Sequence, residues 1–213
     1  GAVVPTLETE FWRRYYEFMQ KGADELGVEL IKKSADNIPE RLETIVRDLL
    51  AQKVDGLIAV PYWGYDKNIL SLTKKTGTPL IFTDVYSDEV TPGDPEYPNY
   101  LAFIGPTDEE AGYLMAKALF AVTPADETGK KHIGCVEGTP GTTVARDRSR
   151  GLERALKEHN EVVVSGRVNG DFILLRSQTS FEKLTRVVRP VGEPVLEMLE
   201  ISVEGKISDK FSE

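Results

Sequence analysis

Phe11 and Trp12 stand side by side in the run TLETEFWRR, and Arg146 and Arg148 stand far downstream in GTPGTTVARDRSRG. Aromatic faces pack against the C–H patches of a small polar ring, while a planar guanidinium donates to its oxygens in pairs. Each segment follows strand-like residues and opens a helix, so the two are expected to face one another across a cleft. The pairing suits the binding of a sugar-like solute.

Other groupings carry less chemistry. His132 and His159 are the only histidines, and neither has a carboxylate at zinc-ligand spacing, so no metal site is expected. No GxSxG elbow exists, and the single cysteine, Cys135, and the two histidines form no evident nucleophile–base pair. No catalytic residue, no enzyme and no cofactor are therefore expected. The GTPGTT loop exposes backbone N–H groups at a helix start, as phosphate sites do. Thr142 stands where a Walker loop needs lysine, so a plain strand-to-helix turn is the expectation.

The bulk properties narrow the class. A length of 213 residues allows one large domain or two small ones, each with a hydrophobic core. With 40% hydrophobic and 29% charged residues the composition is that of a globular chain, not a disordered one. The net charge of -9 argues against a nucleic-acid partner, because phosphate contacts require a basic surface. One cysteine excludes an intrachain disulfide, and Cys135 in KHIGCVEG reads as a small buried core residue. No apolar run approaches the ~20 residues needed to cross a bilayer. No signal peptide is present, and the chain opens directly on strand residues from Ala2, as expected of a mature chain whose targeting segment has been removed.

The elements that must position these residues alternate. AVVPTL reads as a strand, FWRRYYEFMQKGADELG as a helix closed by Gly27, and VELIKK as a second strand. A helix over 38–53 carries Pro39 in its first turn, where a missing N–H is harmless. DGLIAVP is a continuous apolar strand of the kind covered on both faces. A short helix at 68–75 ending at Gly77 and the strand PLIFTD follow. This alternation predicts an α/β fold, a parallel sheet with helices on both faces and ligands beyond the carboxyl ends of the strands. After a Pro- and Asp-rich loop come the strand YLAFIG, a helix over 108–120, the strand KHIGCVEG, a helix over 144–159 and the strand EVVVSGRV. The second run reads as a second lobe, which divides the chain into 1–105 and 106–213. Helical spacing of Phe181, Leu184 and Val188 predicts a helix over 176–188. The segment 195–201 reads as helix or strand, and the last dozen residues as frayed.

In this order the pieces resemble the type I periplasmic binding protein family, the ribose-like sugar-binding proteins and the autoinducer-2 receptors. The resemblance rests on FW after the first strand, PLIFTD, FIGPTDEEAG, GTPGTTVARDRSRGLERAL and VNGDF, and spans residues 2–172. It implies two lobes closing on a ligand. Phe11 and Trp12 would clamp the ring, Asp84 accept from two hydroxyls, and Arg148 donate from the second lobe. Phe172 would stack from that lobe, and Thr9 would be a polar contact. Val85 stands where ribose-like proteins have arginine, and Tyr62 and Trp63 where they have a small polar residue. A more aromatic pocket is therefore expected. The Asn-Asp pair and later strand with which the family completes its second lobe are not recognisable after Phe172. An incomplete second lobe, truncated or divergent, is the expectation.

Each assignment has a plainer rival. Trp12, Phe11, Tyr62 and Trp63 could be core packing, and Asp84 could cap the next turn. Arg148 could be one more charge on a solvated helix face, as Arg146, Arg150 and Arg154 are read. The functional expectation is a periplasmic or extracytoplasmic solute-binding protein that serves a membrane permease or a sensor kinase. The alternative is the effector-binding domain of a transcriptional repressor, which shares the fold and would carry a basic helix-turn-helix upstream.

Overall fold

The computed structural model describes residues 1–188. The expected segment 195–201 and the terminal dozen residues lie outside the described residues. Two parallel sheets organise the chain. The first has five strands, β1 (Ala2–Val4), β2 (Lys32–Ser34), β3 (Leu57–Ala59), β4 (Leu80–Thr83) and β5 (Tyr100–Ile104), in the order β2-β1-β3-β4-β5. The second pairs β6 (Lys131–Glu137) with β7 (Val162–Asn169), and it has two strands among the described residues.

The helices are α1 (Glu10–Leu26), α2 (Pro39–Ala51), α3 (Asp66–Thr76), α4 (Asp108–Val122), α5 (Thr143–Glu158) and α6 (Leu174–Val188). Gly27 and Gly77 end α1 and α3 at φ of 66° and 69°, where a side chain would strain the backbone. Pro39 opens α2 at a position where its missing N–H costs no hydrogen bond. The strands are shorter than their apolar runs: AVVPTL contributes only Ala2–Val4 to the sheet, and Pro5 begins the turn toward α1.

All three residues of β1 are buried, as required of a central strand with helices on both faces. One face packs Val3, Leu57, Leu80 and Phe82 with Leu42, Val46 and Leu49 of α2 and Ile69 and Leu70 of α3. The other face meets Trp12 and Tyr16 of α1. The Tyr16 hydroxyl donates to the Ala2 carbonyl at 3.0 Å and also bonds the Lys33 carbonyl, tying α1 to two neighbouring strands.

In the second lobe, Ile133 of β6 packs with Ala116 and Phe120 of α4 and Ala155 of α5. The next residue, Gly134, faces the opposite way, and a Cβ there would fall 2.5 Å from Leu184 of α6. Helices therefore cover both faces. Cys135 is half-buried and not a core residue, and its thiol is pushed up by burial and then by the charge of Glu137. Among the described residues no helix is long and apolar enough to cross a membrane.

Candidate functional site

The carboxyl ends of six strands from both sheets lead to one region. β1 leads into the 5–9 turn and α1. That turn is fastened by Arg13, whose guanidinium donates to the carbonyls of Leu7 and Glu8 at 2.9 Å each. Thr9 caps α1 in extended conformation without a side-chain capping bond. Its Oγ1 is buried and has no hydrogen-bond partner among the described residues. Trp12 is 6% exposed and Phe11 is 41% exposed, so the first packs inward and the second sits at the rim. Their rings meet edge to face at 4.8 Å.

β3 leads into a single 3-10 turn, Tyr62–Gly64, that places Trp63 at φ 56°. Asp84 directly follows β4 at φ 64°, and Asp171 and Phe172 after β7 stand at 54° and 57°. Left-handed backbone is costly for residues with a Cβ, so Trp63, Asp84 and Phe172 store strain where function is expected.

Tyr62, Trp12 and Val85 of the first lobe form one cluster with Val144 of α5, and Phe172 and Trp63 pack against it. The two lobes therefore touch. Thr139, after β6, lies beside the Tyr62 hydroxyl across this junction, and its own hydroxyl donates to the Asp171 carbonyl at 3.0 Å. Burial pushes the Tyr62 phenol up, and the Asp84 charge adds to the effect.

The polar centre consists of Asp84, Asp108 and Arg148. Asp108, the first residue of α4, is 6% exposed, and it accepts from Arg148 Nε at 2.8 Å. The terminal nitrogens of Arg148 carry no hydrogen bond among the described residues, and its guanidinium lies 5.7 Å over the ring of Phe172. Asp84 caps no turn, and no hydrogen bond occupies its carboxylate among the described residues. Burial first, and then the charge of Asp108, lift the Asp84 pKa from 3.8 to about 6, while Arg148 opposes them. Burial also raises Asp108, again against Arg148.

Three residues of this region escaped the sequence reading. Tyr15 donates to Thr83 Oγ1 at 2.6 Å, next to Asp84. Its position one helical turn after Phe11 was the available signal. Asp108 lay inside a motif already noted, and Thr139 inside the GTPGTT loop. That loop is the plain turn expected: Thr142 caps α5 by accepting from the Ala145 N–H at 3.2 Å and donates to the Thr139 carbonyl at 2.8 Å.

Two rival sites fail on geometry. Asp126, His132 and Ser165 line up at 3.0 and 2.9 Å, but Nδ1 of the imidazole faces the serine and Nε2 the carboxylate, the reverse of a hydrolytic triad. Asp126 also accepts from the backbone of Thr128 and Lys130, so the group fastens a turn. An open groove of about 580 Å³ lined by Lys74, Pro79, Glu96 and Asn99 lies at the amino ends of β4 and β5, away from the strand ends that face Arg148.

The sequence model of the periplasmic binding protein domain matches residues 1–186. The repressor PurR of Actinobacillus pleuropneumoniae is 24% identical over 89% of this chain and 51% of its own. The ribose import binding protein RbsB of Bacillus subtilis is 25% identical over 86% of this chain and 56% of its own. The chain thus spans about half the length of the curated relatives it matches. Among solved structures, a Mycobacterium smegmatis protein in complex with β-D-fucofuranose superposes with a TM-score of 0.72 and 27% identity, covering 87% of this chain and 59% of that one. A match over nearly all the described residues, joined to parallel sheets whose strand ends meet at a shared polar centre, establishes that this chain belongs to the periplasmic binding protein domain family.

Proposed function

We propose that the protein binds a small polar solute of the sugar class between two lobes, residues 1–105 and 106–213, that close by a hinge motion. The observation that carries this reading is the juxtaposition of Asp84, whose carboxylate has no hydrogen-bonded partner among the described residues, with Arg148, whose Nε is held by Asp108 while its terminal nitrogens are not engaged among those residues. A carboxylate accepts from two vicinal hydroxyls at once, and a guanidinium donates to two oxygens at once. Phe172 beneath Arg148 and Trp12 and Tyr62 opposite supply apolar faces, with Phe11 and Trp63 at the margin. The buried Thr9 hydroxyl is a further polar contact. Ligand contacts made by both lobes at once favour the closed state.

The likeness to a ribose import protein and to a fucofuranose-bound structure supports an extracytoplasmic protein that hands a sugar, in pyranose or furanose form, to an ABC-type permease. Reporting to a sensor kinase would use the same closure. The likeness to PurR over 89% of the chain favours a second reading, the effector-binding part of a repressor. The first test is a tryptophan-fluorescence titration with pentoses, hexoses, polyols and methyl furanosides. A saturable shift with one class, absent in Arg148→Lys, is expected. Silence across the panel from folded protein would overturn the sugar reading.

A further inference from the structure

The cleft carries a second set of charges beside the polar centre. Asp84 is followed two residues later by Tyr86 and then by Asp88; Arg148 is preceded two residues earlier by Arg146. Arg146 grips Asp88 with both terminal nitrogens, at 2.5 and 2.9 Å, and one of these also donates to the Tyr86 hydroxyl at 2.9 Å. Its Nε donates to Asp147 Oδ1 at 2.9 Å, while the Tyr86 hydroxyl donates to Asp147 Oδ2 at 2.5 Å. Arg150 completes the set by donating to Asp147 Oδ1 at 3.1 Å. Arg146 is therefore not a solvated charge, whereas Arg150 is, with its side chain 59% exposed.

Tyr86 and Asp88 belong to the first lobe, and Arg146 and Asp147 to the second. We propose that these four residues form a clasp that holds the lobes closed independently of ligand. The first-lobe side is braced, because the Tyr86 ring packs edge to face on Phe103 of β5 at 5.6 Å. The second-lobe side is anchored by Asp147, only 6% exposed. Burial works against the charge of Asp147, yet its hydrogen bonds from Arg146 and Tyr86 outweigh that and hold its pKa below the usual carboxylate value. A bidentate guanidinium–carboxylate pair tied to a further phenol–carboxylate bond has the geometry that distinguishes a network from an isolated surface pair. The clasp shares one loop with Asp84 and one helical turn with Arg148. Closing it therefore brings the two ligand contacts to their working separation before a solute arrives.

The proposal rests on the two-lobed hinge of the preceding reading but not on any ligand, and its test uses none. Nitroxide labels at Lys53→Cys and Lys157→Cys, in a Cys135→Ser background, report the interlobe distance by pulsed electron resonance. Closed distances are expected in this parent, with the open fraction raised about fivefold in Arg146→Gln, the population equivalent of about 1 kcal/mol. Asp88→Asn breaks the same pair from the other lobe and should open the cleft equally, with the double variant no more open than either. Arg154→Gln, which loses bonds to Glu109 and Glu110 within the second lobe, serves as the charge control and should remain closed. Unchanged distances in Arg146→Gln and Asp88→Asn, with melting curves showing both folded, would overturn the clasp. Equal opening in Arg154→Gln would overturn it too. Failure of every sugar to bind would leave these distances, and the clasp, untouched.

Discussion

Gly112 lies so close to Arg148 that a Cβ built on it would fall 2.2 Å from the Arg148 carbonyl oxygen. The approach is mutual, since a Cβ on Gly151 would fall 2.1 Å from the Glu109 carbonyl oxygen. Two glycines thus let the backbones of α4 and α5 touch, and that crossing sets where Arg148 meets Asp108. Gly112→Ala and Gly151→Ala should each destabilise the protein by roughly 1–3 kcal/mol, because backbone cannot yield as a flexible side chain does. Thermal melting checks this: a drop of several degrees is expected for either change.

Asp108 acts on Arg148 by holding Nε, which fixes the plane of the guanidinium. Asp108→Ala should weaken solute binding about tenfold, in the range lost with one charge-assisted hydrogen bond. Arg148→Lys should do at least as much, because an ammonium cannot grip Asp108 and two ligand oxygens in one plane. The double variant should be little worse than Arg148→Lys alone, which calorimetric titration of the four proteins would check.

Asp84 has a raised pKa of about 6 against an ordinary 3.8, so burial disfavours its charge in the folded state. A raised carboxyl binds its proton more tightly folded than unfolded. The contribution of Asp84 to stability is therefore lost as pH rises from about 4 to about 6, and the loss is complete above that window. Asp84→Asn removes the cost and tolerates the left-handed backbone at φ 64°. It should raise stability by roughly 1–3 kcal/mol at pH 7.5, with the gain vanishing near pH 4. Solute affinity of the wild type should fall as pH drops through about 6, where the carboxylate protonates. Melting curves and titrations at several pH values measure both.

Gly138 supports Phe172, since a Cβ there would fall 1.8 Å from the ring. Gly138→Ala should push the ring from beneath Arg148 and cost roughly 1 kcal/mol in binding, about a fivefold weaker affinity. Phe172→Leu removes the π-face and keeps the bulk, so it should lose a similar amount. Equal affinity in both variants would remove the ring from the site.

The framework of this fold was legible because local signals coincide with it. Gly27, Gly77 and Pro39 end or begin helices for backbone reasons that hold in any context, and the expected helix over 176–188 corresponds to α6, Leu174–Val188. Asp84, Tyr62, Arg148 and Phe172 were legible because they follow strands or open a helix, and strand ends point to the cleft. Arg146 was not. Three arginines at close spacing look like a solvated face, and the partner that changes the reading, Asp88, is 58 residues away. Asp108 was hidden for the same reason: at a helix start it reads as a favourable first-turn acid, and only the α4–α5 crossing brings it to Arg148. Pairings of this kind arise from packing and leave no periodic mark.

The central claim is that Asp84 and Arg148 together hold a sugar-class solute. Its most direct test is calorimetric titration of the sugar panel into wild type, Asp84→Asn and Arg148→Lys at pH 7.5, with each protein's melting curve taken in parallel. The account predicts saturable binding of one sugar class to the wild type, and its loss in both variants, with Asp84→Asn folded and at least as stable as the wild type. Binding that survives Asp84→Asn unchanged would contradict it.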